Sequence, residues 1–161
     1  MKQLFTLLMI VALSGCSEKN QSVIKTDDEL TANIELLFDK YVDNEFDVSE
    51  YYADDIICKM NNIEISGYDN LIQGFKAHHD ILFDNIKIQD TYVHTNYFAN
   101  DEIWSNAWFT WTGTGKTTGN DYSNRGHFDY KWEDGKIVEL LGYYSEYVEN
   151  TEAAAYAASQ Q

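Results

Sequence analysis

The hydrophobic period changes once along the chain, and this change limits the folds that the chain can adopt. Before about residue 83, apart from a short strand predicted over 55–60, apolar residues recur every three or four positions, as on one face of a helix. Beyond that point they alternate with polar residues, as in half-buried strands, over 86–97, 102–112, 124–133 and 136–147. Helices followed by alternating strands predict one α+β domain with helices packed on one face of an antiparallel sheet.

Three helices are predicted in the N-terminal half. A capping-box pattern over residues 26–29 begins a helix that runs to about Asp43 with one apolar face. A short second helix is predicted over 48–54, and a third over 68–83. The sheet is therefore expected to curve around three N-terminal helices. The alanine-rich tail over 148–161 is expected to fray, with a loosely docked helix as the alternative.

The final two strands are joined by Asp134-Gly135, the strongest short hairpin signal in the chain. A regular two-residue turn places Phe128, Tyr130, Tyr143 and Glu139 on one surface, facing the helices. A single bulge would turn Glu139 outward, so both directions stay open at this stage. The opposite surface carries the charged side chains Arg125, His127, Asp129 and Lys131.

The N-terminus reads as a targeting segment. Lys2 precedes a ten-residue apolar run over 4–13, which is too short to span a bilayer. The following Leu-Ser-Gly-Cys resembles the bacterial lipobox. This predicts a signal peptide over 1–15, lipidated Cys16 and a tether over 16–26, with a buried N-terminal helix as the alternative. The mature protein is expected in the bacterial cell envelope, anchored to the outer membrane through Cys16.

Charge excludes one class of partner. The chain carries 27 acidic and 11 basic residues and a net charge of -16, with Arg125 as the only arginine. Nucleic-acid binding requires a basic surface that neutralises phosphates, and this chain lacks the residues to build one. We therefore expect no nucleic-acid partner.

Three short motifs suggest chemistry but are better explained by structure. Cys58 lies in an apolar strand, where a buried, inert thiol is expected. Neighbouring residues in His78-His79-Asp80 point about 100° apart on a helix, whereas zinc ligands favour positions one turn apart. The segment 113–117, Gly-Thr-Gly-Lys-Thr, lacks the first glycine and the helix that a phosphate loop needs. No metal and no cofactor are predicted.

Aromatic residues are concentrated in the strands. Residues 92–147 hold 14 aromatic side chains, including all four tryptophans, which is more than a small core requires. Core packing with a dimer interface is one explanation, and a ligand cavity is the other. His79 shares its helix face with Phe75 and Leu82, so it is expected to face the same interior.

The order and spacing of five segments resemble the nuclear transport factor 2-like superfamily, particularly its SnoaL-like branch, over residues 27–147. The segments are YADDI (52–56), ISGYD (65–69), GFKAHH (74–79), WTGTG (111–115) and DGKIV (134–138). The resemblance implies a cone-shaped, cystatin-like α+β roll with a pocket inside, and often a dimer formed between sheets. It implies no single activity, because this fold hosts isomerases, cyclases, dehydratases and binding proteins.

Three positions depart from related enzymes. Met60 stands where ketosteroid isomerase, an example that is well known for its tuned carboxyl groups, has its general-base aspartate. Ser145 and Gly115 stand where SnoaL-like cyclases commonly have an acid and a histidine. Both steroid isomerisation and cyclase chemistry are therefore disfavoured.

Three functions are expected in order of preference. The first is binding of a small, largely apolar or ring-shaped molecule in an aromatic pocket lined by Phe75, His79, Trp108, Phe128, Tyr130 and Tyr143. The second is cofactor-free isomerisation, dehydration or cyclisation, with His79 or Glu139 as the base and Tyr130 or Tyr143 as a donor. The third is a structural envelope module that forms a homodimer through its aromatic sheet face.

Overall fold

Seven strands and three helices form the fold in the computed structural model, which describes residues 21–161. The predicted signal peptide, Cys16 and the first part of the tether lie outside these described residues. In chain order the elements are β1 (Val23–Lys25), α1 (Glu29–Val42), β2 (Tyr52–Met60), β3 (Ile63–Ser66), α2 (Tyr68–Ala77), a π-helical turn (His78–Leu82), β4 (Phe83–Tyr97), β5 (Ile103–Gly115), β6 (Asp121–Glu133), β7 (Lys136–Tyr144) and α3 (Tyr147–Ser159).

The strands form one sheet in the order β1-β4-β5-β6-β7-β2-β3. Every neighbouring pair is antiparallel except β2 and β7, which run parallel, so the sheet is mixed and not purely antiparallel as expected. Helix α1 packs against β4 and β5, and α2 packs against β2 and β3. The predicted α+β fold class, a curved sheet around helices, is confirmed.

Two element assignments from the sequence are corrected. Residues 48–54 form a turn and the start of β2 where a second helix was expected, so only α1 and α2 precede the long strands. The helix predicted over 68–83 is present as α2 and the π-helical turn. The structure has its third helix, α3, at the C-terminal end, because the tail that was expected to fray is helical from Tyr147. The predicted tether is also shorter, because Val23–Lys25 pairs with the end of β4 as an edge strand.

Helix α1 begins where its cap provides an acceptor. The Asp28 carboxylate accepts a hydrogen bond from the Thr31 amide at 3.0 Å, which makes Asp28 the N-cap and places the start two residues after Thr26. From there Ile34, Leu37 and Phe38 lie on the buried face, as the helical period predicts.

Bulges curve the sheet. The register of β4 against β5 shifts twice, between Asp84 and Lys87 and between Gln89 and Tyr92. Asn85 and Asp90 adopt positive φ at these two places, a conformation that asparagine and aspartate tolerate better than most residues. Each extra residue bends and twists its strand, so the long strands wrap around the helices and leave room between the two layers.

The core between helices and sheet includes the one cysteine that the structure describes. Cys58 is fully buried in β2, and burial raises the pKa of its thiol to about 12. The predicted inert thiol therefore lies in an environment that suppresses the reactive thiolate. Within residues 21–161, the helices are all too short or too polar to cross a membrane.

Candidate functional site

A cavity of about 260 Å³ lies between the helices and the concave face of the sheet. It offers a ligand room for on the order of ten non-hydrogen atoms, since a water molecule occupies about 30 Å³ in the liquid. Most of its lining is apolar, as in small-molecule sites generally. Its aromatic wall consists of Phe38, Tyr41, Tyr52, Phe75, Phe83, Phe109, Trp111, Phe128, Tyr130 and Tyr144.

Three of the six predicted lining residues lie where the sequence placed them. Phe75 reaches the cavity from α2, and Phe128 and Tyr130 reach it from the inward face of β6. Between ring centroids, Phe128 makes edge-to-face contacts with Phe109 at 5.1 Å and with Tyr130 at 6.2 Å, and Phe75 makes one with Tyr41 at 5.6 Å. Their part in ligand binding stays a prediction.

Glu139 and Tyr143 do not line the cavity, because β6 and β7 do not pair in regular register. The pairing shifts between Lys131 and Trp132, so that Lys131 lies opposite Glu139 and His127 lies opposite Tyr143. A shift of one residue turns every following side chain of a strand to the other face. Glu139 therefore points outward, where its Oε1 lies 2.7 Å from Lys59 Nζ.

Trp108 also lies on the outer surface, with 41% of its area exposed. Strand alternation sends Phe109 and Trp111 to the cavity and Trp108 to the opposite face, so Trp108 does not line the pocket as predicted. On the outer surface His94 and His127 stack against the Trp108 ring, at centroid distances of 5.5 and 4.3 Å. Together with two exposed tyrosines these residues form what we call the outer aromatic cluster: Tyr92, His94, Trp108, His127 and Tyr143.

His78, and not His79, is the histidine that lines the cavity. The helical period predicted the reverse, but α2 passes into a π-helical turn at His78, and this changes the direction of each following side chain. The His79 ring packs beside Tyr41 and Phe46, at 5.1 and 5.6 Å between centroids. Burial lowers the pKa of His79, and its Nε2 has no hydrogen-bond partner among the described residues.

A chain of polar groups runs along one end of the cavity, beginning at Trp111. The indole Nε1 of Trp111 donates to the Tyr41 hydroxyl at 3.2 Å, and that hydroxyl lies 2.9 Å from His78 Nδ1. Burial raises the pKa of Tyr41, so its hydroxyl remains protonated. This end of the cavity therefore contains hydrogen-bonding groups set in aromatic walls.

Helix α3 supplies the carboxylate at the end of this chain of polar groups. Glu149 Oε1 lies 3.3 Å from His78 Nε2, and Glu149 Oε2 accepts a hydrogen bond from the Tyr144 hydroxyl at 3.3 Å. A carboxylate beside Nε2 favours the tautomer with its proton on that nitrogen. In this tautomer Nδ1 accepts from Tyr41, so the Tyr41–His78–Glu149 chain has the order of groups that move a proton in general acid–base catalysis.

Two tyrosine hydroxyls in the cavity are left for a ligand. Tyr52 and Tyr130 both line it and are almost fully buried. Burial, with smaller effects from nearby ionisable groups, raises the pKa of each, and no hydrogen bond from a described residue contributes. Both phenols are therefore protonated donors without a protein acceptor. A buried donor of this kind favours a ligand with an oxygen or nitrogen acceptor.

Four residues of this site were missed because no local pattern indicated them. Tyr41 and Trp111 appeared in the sequence as ordinary apolar positions, and Tyr144 followed a residue assigned to the inner face. Glu149 lies in the tail that was expected to fray. The distances that join them to His78 connect positions up to 71 residues apart, so only the fold brings them together.

Comparison with solved structures places this fold among known proteins. A protein from Silicibacter described as a "putative polyketide cyclase" superposes with a TM-score of 0.62 at 16% identity, covering 77% of this chain and 93% of that chain. A nuclear transport factor 2-like protein from Anabaena variabilis gives a TM-score of 0.58 at 15% identity, covering 72% and 86%. A protein with a ketosteroid isomerase-like fold from Catenulispora acidiphila, in complex with trimethylamine, gives 0.55 at 17% identity, covering 75% and 91%. Identities this low show the shared fold alone.

Sequence comparison identifies the family. No curated protein sequence matches the chain. A family model for the SnoaL-like domain matches residues 42–140, which is more than half of the chain. The match includes β2 to β6 and the first part of β7, and with them most of the cavity wall. The chain therefore belongs to the SnoaL-like domain family.

Proposed function

We propose that the protein binds a small, largely apolar, ring-shaped molecule that carries an oxygen atom. The observation that supports this most directly is the cavity of about 260 Å³, with an aromatic wall and two tyrosine hydroxyls that have no hydrogen-bond partner within residues 21–161. Aromatic side chains bury the faces and edges of a flat ring, while the hydroxyls of Tyr52 and Tyr130 select an acceptor on it. The SnoaL-like fold is consistent with a small-molecule pocket of this kind.

A retained ligand would test the proposal directly. We suggest native mass spectrometry of residues 17–161, which include every described element, with the denatured protein as the mass reference. A bound molecule of roughly ten non-hydrogen atoms is expected, from the cavity volume. Equal native and denatured masses, together with no affinity for added neutral ring compounds, would contradict the proposal. A small binding protein that retains its ligand under the same conditions is the control.

Removal of the two free hydroxyls should weaken binding without unfolding the protein. In the double variant Tyr52→Phe/Tyr130→Phe, we expect affinity for 2-naphthol, measured by its fluorescence, to fall about tenfold or more. The estimate corresponds to the loss of one or two hydrogen bonds, each of about 0.5–1.5 kcal/mol. Thermal stability should change little, because neither hydroxyl has a protein partner to lose. Tyr92→Phe, on the outer surface, is the matched control, and an equal loss of affinity there would refute the assignment.

The second candidate is an enzyme that moves protons without a cofactor, and the Tyr41–His78–Glu149 chain favours it. This assigns the acid–base role to His78 and Glu149 in place of His79 and Glu139, which lie outside the cavity. Isomerisation, dehydration and cyclisation can each proceed through proton transfer beside a carbonyl, which a partly buried carboxylate–histidine pair can promote. The Silicibacter protein described as a "putative polyketide cyclase" has the same fold, and we extend to this chain only proton transfer in general, since Gly115 and Ser145 disfavour cyclisation itself.

The proposal includes attachment to the bacterial cell envelope. Residues 1–15 would be removed and Cys16 lipidated, which would anchor the domain to the outer membrane. Expression of the full chain and of Cys16→Ser in a Gram-negative bacterium tests this. The unchanged chain is expected to partition into detergent and the variant into the aqueous phase. The same partition for both proteins would overturn the assignment.

The proposal also includes a homodimer, in which a second copy of the chain binds to the outer aromatic cluster. Tyr92 and Tyr143 expose 57% and 51% of their area there, next to the Trp108 stack. Exposed aromatic groups of this size commonly mark an interface. The native mass spectrum shows at once whether the protein is dimeric and whether it retains a ligand. A dimer without a ligand would favour the structural envelope module.

A further inference from the structure

Helix α3 is attached to the domain at only a few points. Val148 packs with Phe83 and Ile86, and Glu152 is fully buried, while most other residues of the helix are exposed. An attachment this small makes the position of the helix depend on each contact. The buried carboxylate of Glu152 is the most unusual of them, because a charge is costly to bury unless it is hydrogen-bonded.

The Glu152 carboxylate sits in the turn between β5 and β6. Its Oε1 accepts hydrogen bonds from the Thr117 and Thr118 amides, the latter at 3.0 Å. Its Oε2 accepts from the Thr118 hydroxyl at 2.8 Å and from the Tyr122 hydroxyl at 3.3 Å. Burial alone would raise the pKa of Glu152, but these hydrogen bonds outweigh it and hold the pKa below its usual range. Glu152 is therefore ionised at neutral pH.

Gly115 makes room for this carboxylate. A Cβ atom at position 115 would collide with Glu152 Oε2 and Cδ, so any other residue there would force the carboxylate to shift from this position. The end of the segment that superficially resembles a phosphate loop thus binds an anion that the chain itself supplies. The amides of Thr117 and of Thr118, which follows the segment, do for the glutamate what such loops do for phosphate groups.

Glu152 and Glu149 lie one helical turn apart on α3, and side chains three positions apart share a face. Glu149 reaches the cavity, where it contacts His78 and Tyr144. Val148, which packs with Phe83 and Ile86, and Glu146, whose Oε1 accepts a hydrogen bond from Asn61 Nδ2 at 3.1 Å, hold the start of α3 near this place. Beyond Glu149, Glu152 is the one residue of α3 that is buried, so its contact with the turn fixes the direction in which the helix, and with it the cavity carboxylate, is held.

We propose that Glu152 is a positioning residue: its carboxylate, held in the β5–β6 turn, fixes α3 so that Glu149 stays beside His78 and completes the polar end of the cavity. The inference rests on the proposed function, since Glu149 matters only to a cavity that receives a ligand. Glu152 itself touches no ligand. Its effect passes through the helix to Glu149, and from there along His78 and Tyr41 to the indole of Trp111.

The indole N–H signals of Trp111 and Trp132 report the position of Glu149 without a ligand. The indole N–H of Trp111 donates to Tyr41. The indole N–H of Trp132 donates to Ser105 at 2.8 Å in the core, and it takes no part in the hydrogen bonds that join Tyr41, His78 and Glu149. In a ¹⁵N–¹H spectrum of residues 17–161, we expect Glu152→Ala to move the Trp111 indole peak in the same direction as Glu149→Ala does. The Trp132 peak should stay in place, which separates a change in position from general unfolding.

Three further variants control the experiment. Asn150→Ala alters an exposed residue of the same helix and should leave the Trp111 peak unchanged. Glu152→Gln keeps an oxygen for the two backbone amides and should restore most of the original spectrum. If Glu152→Ala does not fold, Thr118→Val removes one hydrogen bond from the carboxylate and should move the Trp111 peak by a smaller amount. An unmoved Trp111 peak in a folded Glu152→Ala or Thr118→Val protein overturns the proposal.

Affinity separates this proposal from the function on which it rests. For 2-naphthol we expect Glu152→Ala and Glu149→Ala each to weaken binding about tenfold, and the double variant to be no weaker than either one. Additive losses would mean that Glu152 acts independently of Glu149 and would overturn the positioning role. If the unaltered protein does not bind 2-naphthol while the Trp111 peak still moves, the positioning role stands and the assigned ligand class fails.

Discussion

Leu140→Ala is expected to lower the free energy of unfolding by about 2–5 kcal/mol, the usual cost of emptying a fully buried leucine site. Leu140 has no exposed area and packs in the main core between the sheet and the helices. Unfolding in urea with an unchanged slope would report this as a lower midpoint. In a thermal scan the loss corresponds to about 2–4 °C for each kcal/mol in a chain of this size.

Leu141→Ala is the matched control, because it makes the same change one residue further along β7. Leu141 lies on the outer surface opposite Asp129 and is only partly buried, so its truncation should cost about 1 kcal/mol or less. The regular hairpin predicted from the sequence would reverse the two, with Leu141 in the core. A larger loss for Leu141→Ala would therefore contradict the shifted register of β6 and β7.

This shift also explains which part of the fold the sequence could predict. The alternation in β6 and β7 was sufficient to identify two strands and the turn at Asp134-Gly135, both of which the structure contains. Alternation alone does not reveal a bulge, because the residues before and after it keep their own period of two. From one extra residue in β7 onward, the regular turn therefore placed Tyr143 on the wrong face, and Glu139 took the outward direction that the sequence had left open.

In the site, too, local sequence patterns placed some residues correctly, whereas the residues whose position depends on distant contacts were missed. Phe75, Phe128 and Tyr130 were placed at the cavity from the helix and strand periods alone. The histidine was assigned one position too late, since a π-helical turn depends on how α2 ends against β4 and not on the residues of the turn alone. Glu149 was missed for a related reason: α3 has a weak apolar pattern, and its place depends on a distant turn that accepts Glu152.

The charge of the chain bears on the cavity as well. At a net charge of -16 the surface repels anions, whereas the ligand-facing hydroxyls of Tyr52 and Tyr130 are neutral donors. The only carboxylate among the cavity residues described is that of Glu149, and it is engaged by His78 and Tyr144. Apart from His78, the one basic side chain among the described cavity residues is Arg125, and it is exposed. The buried groups that select the ligand are therefore the neutral hydroxyls of Tyr52 and Tyr130, which favour a neutral molecule with a carbonyl or hydroxyl group.

Exchange of the Glu149 carboxylate for an amide is expected to remove most proton-transfer activity. We suggest 2-tetralone in D₂O as the probe, with deuterium exchange beside its carbonyl followed by NMR. Its 11 non-hydrogen atoms are close to the roughly ten that the cavity volume allows. If the Tyr41–His78–Glu149 chain acts as a base, Glu149→Gln should slow the protein-catalysed exchange by about 10²–10⁴-fold, the usual contribution of a positioned acid–base group. Glutamine keeps the shape of the side chain but cannot hold the proton that His78 would release.

Glu139→Gln makes the same chemical change on the other side of the sheet and gives the sharpest control. Glu139 is paired with Lys59 on the outer surface, so its exchange should leave the rate unchanged and cost little stability. His78→Gln should match the loss in Glu149→Gln, and the double variant should be no slower than either, because the two groups act as one unit. Equal rates for Glu149→Gln and Glu139→Gln would assign the polar chain to ligand binding alone. A slower rate for Glu139→Gln alone would instead place the reacting carboxylate on the outer surface, against the geometry of the cavity.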